Sequence, residues 1–216
     1  MTIRPASDRS LLVTFGAGIS LESHHQVFHL TRSLEGIRGL LNLHPAYASL
    51  LIEFDPRLVE SAEVEALVLQ KMAAEGADQV AETPRMVEIP VRYGGEFGPD
   101  LDDVAKHTGL APERVVELHS SAEYLVYFLG FAPGFAYLGG LPPELATPRI
   151  SAPRKHVPAG SVAIGGNQTG VYPIVSPGGW RLIGRTSVKL FDPGRAEPVL
   201  LRMGDRLRFI ISEEGA

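Results

Sequence analysis

Residues 130–186 read GFAPGFAYLGGLPPELATPRISAPRKHVPAGSVAIGGNQTGVYPIVSPGGWRLIGRT, and of these 57 residues 11 are glycine and 8 are proline. Helices do not persist where a third of the residues lack either a side chain or a backbone N–H. The segment must therefore be short β-strands joined by shaped turns. Just upstream, Tyr124–Leu129 is apolar at every position, the pattern of a strand buried on both faces. Downstream, residues 199–202 and 206–211 flank Met203-Gly204-Asp205 and are expected to pair as a hairpin. Closure into a barrel best hides so many strand edges. Residues 86–216 are thus expected to form a mainly β barrel domain, with two short helices near 101–107 and 113–119 at its entry.

The N-terminal part has a different texture. Residues 9–15 form an apolar run closed by Gly16, as in a buried strand. Ser20 can cap a helix, with Glu22 in its first turn. Val27, Leu30 and Leu34 share one face of it, with Phe28 beside them, and Gly36 and Gly39 end the pattern. Leu41 and Leu43 precede a break at His44-Pro45, after which Ala48, Leu50, Ile52 and Phe54 alternate up to Asp55-Pro56. Val64, Leu67, Val68 and Met72 form a second helical stripe that should end near Gly76. Two helices on one face of an antiparallel sheet, a ferredoxin-like α+β layer over residues 1–85, is the economical solution. Val87, Ile89, Val91 and Tyr93 alternate in a further strand. It either closes this sheet or opens the next domain, and the boundary is placed near residue 85.

Bulk properties exclude several classes. The 216 residues contain no cysteine, so disulfides and thiolate chemistry are absent. A net charge of −5 gives no overall pull toward nucleic acid or an anionic membrane. No apolar run reaches the ~20 residues that span a bilayer, and no apolar h-region follows the N-terminus. A soluble, cytoplasmic protein is expected.

Charge is distributed unevenly. Residues 130–186 carry Arg149, Arg154, Lys155, Arg181 and Arg185 against one carboxylate, Glu144, and one histidine, His156. Arginine offers a planar fork of donors to carboxylate or phosphate, and glycines let backbone N–H groups approach a ligand. Together they predict a concave site for a small anionic molecule. Gly165-Gly166-Asn167-Gln168-Thr169-Gly170 lacks the Lys-Ser/Thr pair of a phosphate loop, and Val171-Tyr172-Pro173 cannot open the helix such a loop requires. His25 and His29 have metal-ligand spacing without the accompanying glutamate, so no metal site is expected. Ser161, Ser176 and Ser187 lack a nucleophile-elbow frame.

The motif Gly130-Phe131-Ala132-Pro133-Gly134-Phe135-Ala136-Tyr137-Leu138 resembles the GFxPGFxYL signature of the allophanate hydrolase subunit 1 family. So do Pro153-Arg154, residues 157–162 (VPAGSV), 168–173 (QTGVYP) and 176–186 (SPGGWRLIGRT). Ala163-Ile164-Gly165-Gly166 departs from the Gly-Ile-Ala-Gly more usual there. The family includes the B component of bacterial 5-oxoprolinase, the member this chain resembles most, and the sensor-kinase inhibitor KipI. The resemblance implies a ferredoxin-like domain followed by a cyclophilin-like barrel, working beside an allophanate hydrolase subunit 2-like C component and an A component. In that branch ATP, with Mg2+ bound elsewhere, is consumed in opening 5-oxoproline to glutamate. Arg154, Arg181 and Arg185 would then meet accumulating charge, with the missing acids supplied by the partner. Gln168 and Thr169 would orient the substrate, Phe131, Phe135 and Trp180 would exclude water, and Pro133, Ser176 and Thr186 would complete the pocket. Two relatives suggest other roles: binding a histidine kinase through the Phe131-Pro133-Phe135 surface, or forming half of a urea carboxylase carboxyltransferase. Lys71-Met72 is followed by Ala73 rather than methionine, so no biotin is expected on this chain.

Overall fold

The structure, a computed structural model, describes residues 1–74 and 84–213. It divides into two compact units, Met1–Thr83 and Pro84–Ala216. The first contains β1 (Thr2–Ser7), β2 (Ser10–Thr14), α1 (Leu21–Leu34), β3 (Leu40–Pro45), β4 (Ser49–Phe54) and α2 (Ser61–Ala73). Ser20 caps α1, its hydroxyl accepting the Ser23 N–H at 3.1 Å. Glu60 and Glu63 cap α2 reciprocally. The sheet is antiparallel throughout, in the order β1-β2-β4-β3. Alternation puts Leu11 and Val13 with Leu50, Ile52 and Phe54 on one face, where Leu30 and Leu34 of α1 and Val64 and Val68 of α2 join them in one core.

The fourth strand of this sheet is β1, not the strand at 86–93. The sequence TIRPAS shows no apolar alternation, and only Ile3 among its residues is partly buried. Pro5 is tolerated because β1 is an edge strand. The helix end expected near Gly76 lies outside the described residues.

The second unit contains β5 (Met86–Tyr93), α3 (Leu101–Thr108), α4 (Pro112–Ser121), β6 (Tyr124–Leu129), β7 (Ala136–Gly139), β8 (Arg154–Val157), β9 (Ser161–Gly165), β10 (Gln168–Val171), β11 (Ser176–Gly178), β12 (Arg181–Arg185) and β13 (Arg206–Ile211). Seven of these strands close a mixed barrel in the order β10-β7-β6-β13-β5-β12-β9. Within it β13 runs parallel to β5 over six residue pairs, and the remaining pairs are antiparallel.

The hairpin expected around Met203-Gly204-Asp205 does not form. Residues 199–202 are not a strand, although Val199 bridges Phe191. The turn is instead fastened to the barrel, Gly204 N–H donating to the Val126 carbonyl at 2.9 Å and Val126 N–H to that of Asp205 at 2.9 Å. The Asp205 carboxylate accepts from Arg85 and from the Arg202 N–H. β13 is thereby handed to β5 and β6, which pair it over six residues on one side and two on the other.

Two separate cores result. Ile89, Val91, Val126, Leu138, Val162, Ile164, Ile183, Leu207 and Phe209 are part of the barrel interior. Outside the wall, β8 and β11 pair as a two-stranded ribbon, and Phe135, Val157, Ala163, Tyr172, Trp180 and Leu182 form a second core. Strand β9 serves both, with Val162 and Ile164 facing inward and Ala163 outward. Gly165 must be glycine here, because a Cβ would lie 2.5 Å from the Trp180 indole.

Candidate functional site

The alternation of β9 puts Ser161 on the outward face with Ala163. Across the wall its register partner is Arg185 of β12, whose own partner on β5 is Arg92. In the ribbon, Ser176 pairs with Val157 and Gly178 with Arg154. Val157 belongs to the outer core, and a Cβ on Gly178 would collide with the Tyr172 hydroxyl. The ribbon therefore turns Arg154 and Ser176 toward the wall that carries Ser161 and Arg185.

The segment between β5 and α3 folds over β12. Gly94 N–H donates to the Ile183 carbonyl at 3.0 Å and Asp100 N–H to that of Leu182 at 2.9 Å. Gly98 lies so close that a Cβ would fall 2.0 Å from the Ile183 oxygen. This close approach delivers Phe97 and Asp100 to the layer. The Arg92 guanidinium sits 4.0 Å, and that of Arg185 5.7 Å, from the Phe97 ring centroid, a cation–π arrangement that holds both.

The predicted arginines have three different environments. Arg154 donates from Nη2 to Asp100 Oδ1 at 2.7 Å, while Asp100 Oδ2 accepts the Leu182 N–H at 2.7 Å. Arg181 donates to Asp103 Oδ2 at 2.8 Å and to the Pro148 carbonyl at 3.2 Å. Arg185 has no carboxylate partner among the described residues, and its buried Nε has no protein acceptor. For Arg154 and Arg181 the acids come from the same chain, from α3 and the residue that precedes it.

The other predicted residues divide sharply. Ser176 lies in the layer, and its buried hydroxyl has no protein partner. Phe135 and Trp180 are 2% and 5% exposed and meet edge to face at 5.7 Å. They build the outer core rather than an open wall. Phe131 is 63% exposed at the tip of a γ-turn with φ 66°, closed by Ala132 N–H to the Gly130 carbonyl at 2.7 Å. Pro133 is exposed in the same loop, and Gln168 is half-buried on β10. Thr186 is buried, its hydroxyl oxygen accepting the Val188 N–H at 3.1 Å.

Thr169 is fully buried and belongs to the barrel interior, apart from the layer that carries Arg154, Ser176 and Arg185. Its hydroxyl donates to the Ala163 carbonyl at 3.0 Å and contacts His119 Nε2 at 2.8 Å. With that proton spent, His119 Nε2 must be the donor to Thr169. Nδ1 is then left to accept the Tyr93 hydroxyl at 2.8 Å. Burial holds the His119 imidazole at about 3, below its ordinary 6.5, so it is neutral. Sequence reasoning misses His119, since nothing distinguishes one histidine of an amphipathic helix from a solvated one. It also misses Ser161, Arg92, Phe97, Asp100 and Asp103 as members of the site. Of these only Asp100 stands out in the sequence, next to Pro99 at a helix start.

Residues 1–201 match the family described as carboxyltransferase domain, subdomains C and D. The B component of 5-oxoprolinase from Escherichia coli O157:H7 is 48% identical over 197 residues, 91% of this chain and 89% of that one. Its counterpart in Bacillus subtilis (strain 168) is 43% identical over 225 residues, 98% and 93% of the two chains. Among solved structures, TTHA0988 superposes with a TM-score of 0.85 at 42% identity, covering 96% of this chain and 40% of that one. Urea amidolyase of K. lactis, at 22% identity and a TM-score of 0.77, shares the fold over 97% of this chain and 15% of its own. The chain belongs to the carboxyltransferase-domain family of subdomains C and D, the allophanate hydrolase subunit 1 family that its motifs resemble.

Proposed function

We propose that the chain is the B component of a multi-subunit, ATP-dependent 5-oxoprolinase. One observation carries this reading. Three curated relatives, each named as that component of 5-oxoprolinase, are 42–48% identical and matched over 89–98% of their lengths. Urea amidolyases reach only 24–25%, over 13% of theirs. The complex would convert 5-oxoproline, ATP and water to glutamate, ADP and phosphate in the cytoplasm. This chain would act beside a C component and an A component and be inactive alone.

The chain's own contribution is to hold and orient substrate in the layer between ribbon and wall. Arg185 supplies a cation there, and the outer core excludes water on one side. A magnesium nucleotide does not fit these residues. Asp100 and Asp103 are already engaged by Arg154 and Arg181, which leaves neither carboxylate open to the cation. The nucleotide is therefore assigned to the other components of the complex.

The test is ATP-dependent glutamate release from 5-oxoproline, using this chain with and without the other two components. Activity only in the full mixture is expected. A folded, assembled mixture with no activity would contradict the reading.

A further inference from the structure

We propose that the layer between the β8–β11 ribbon and the barrel wall is a buried site for one compact oxyanion, and that its occupant is a monoanionic carboxylate rather than a phosphate. Among the described residues, four buried side-chain polar atoms have no protein hydrogen-bond partner: Arg154 Nη1, Ser161 Oγ, Ser176 Oγ and Arg185 Nε. All four belong to this layer. Arg154 and Ser176 lie on the two strands of the ribbon, and Ser161 and Arg185 are register partners on the wall. Ser161 is completely buried.

Buried donors without partners are destabilising, and native proteins leave few of them. Each of these four is a donor or can act as one. A carboxylate offers about four lone-pair directions, matched here by two guanidinium N–H groups and two hydroxyls.

Charge decides between the candidate anions. Asp100 neutralises Arg154, and Asp103 neutralises Arg181. Arg185 and Arg92, both against the Phe97 ring, have no carboxylate partner among the described residues, and of the two only Arg185 has a buried nitrogen without a protein partner. The core packed beneath the layer is apolar: Phe135, Val157, Trp180 and Leu182. A carboxylate brings one negative charge to the Arg185 nitrogen. Dianionic phosphate or a nucleotide would bring more, and excess buried charge is strongly disfavoured. Naming 5-oxoproline as the source of the carboxylate rests on the 5-oxoprolinase reading; the site itself does not.

The experiment is isothermal titration of the full chain with 5-oxoproline, 2-pyrrolidinone (the same lactam without its carboxylate), inorganic phosphate and ATP. Saturable binding of 5-oxoproline is expected, at least 100-fold tighter than 2-pyrrolidinone, with no displacement by phosphate. Arg185→Gln and Ser161→Ala should each weaken binding tenfold or more while circular dichroism stays unchanged. Phosphate or ATP binding through these residues in place of 5-oxoproline would overturn the carboxylate assignment. No binding of any probe, or binding indifferent to both variants, would overturn the site.

Glutamate release by the assembled complex separates the two failures. Turnover with an unaltered KM in Arg185→Gln would remove the site and leave the function. Carboxylate binding that both variants abolish, in a wild-type complex without turnover, would remove the function and leave the site.

Discussion

The barrel interior and the outer layer are both buried, yet they treat polar groups in opposite ways. Inside, Tyr93, His119, Thr169 and the Ala163 carbonyl form a closed chain of hydrogen bonds, and the Tyr124 hydroxyl donates to the His119 carbonyl at 2.8 Å. Phe209 stacks on the imidazole at 4.6 Å. Outside, four buried polar atoms of the ribbon and the wall have no protein partners. A network satisfied by the protein serves the fold, whereas donors that the protein leaves open are available to a ligand. Ala163 sits at the junction. Its carbonyl closes the inner network while its side chain packs in the outer core.

The largest effect that can break this comparison is on the inside. His119→Leu keeps an apolar body but strands the Tyr93 hydroxyl and removes the donor to Thr169, so it should cost about 3 kcal/mol in chemical denaturation. An unchanged stability would show that the inner network does not support the fold. The same residue fixes a pH dependence. With His119 at about 3 when folded and 6.5 when unfolded, the unfolded chain binds the extra proton between those values. Stability is therefore complete above pH 6.5 and falls as pH drops toward 3. Denaturation across this range should show that decline in the wild type and lose its one-proton component in His119→Leu.

Next in size is Arg185→Gln. Removing this cation, whose buried Nε has no protein partner, should reduce turnover of the assembled complex by roughly 100-fold, or about 3 kcal/mol, with little change in the melting temperature. A large loss of stability at normal turnover would assign Arg185 to the fold.

Most of the architecture is legible in the sequence because burial enforces periodicity. Leu50, Ile52 and Phe54 announce β4, Val64 and Val68 announce α2, and the glycine and proline density of residues 130–186 announces short strands. The failures have the converse cause. β1 is an exposed edge strand with no alternation to read, and the partner choice of β13 depends on a parallel ladder with β5, 120 residues away at Arg206 and Met86. Charge counts along the chain mislead for the same reason. Arg154 finds Asp100 across 54 positions, a pairing made by the segment over β12. Within the site, Arg154, Arg185 and Ser176 are visible from composition and motif, whereas Ser161 is read only as part of the 157–162 motif and as a serine without a nucleophile-elbow frame. Its place on the outward face of β9 becomes evident once Val162 and Ile164 are known to point inward.

The smallest change is also the most direct test. Ser161→Ala deletes one unpartnered hydroxyl, and melting temperature and 5-oxoproline affinity can be measured on the same preparation. If the outer layer is a ligand site, the melting temperature stays level or rises while affinity falls at least tenfold. A lower melting temperature with affinity intact would make the layer a second structural core, and the contrast between inside and outside would fail.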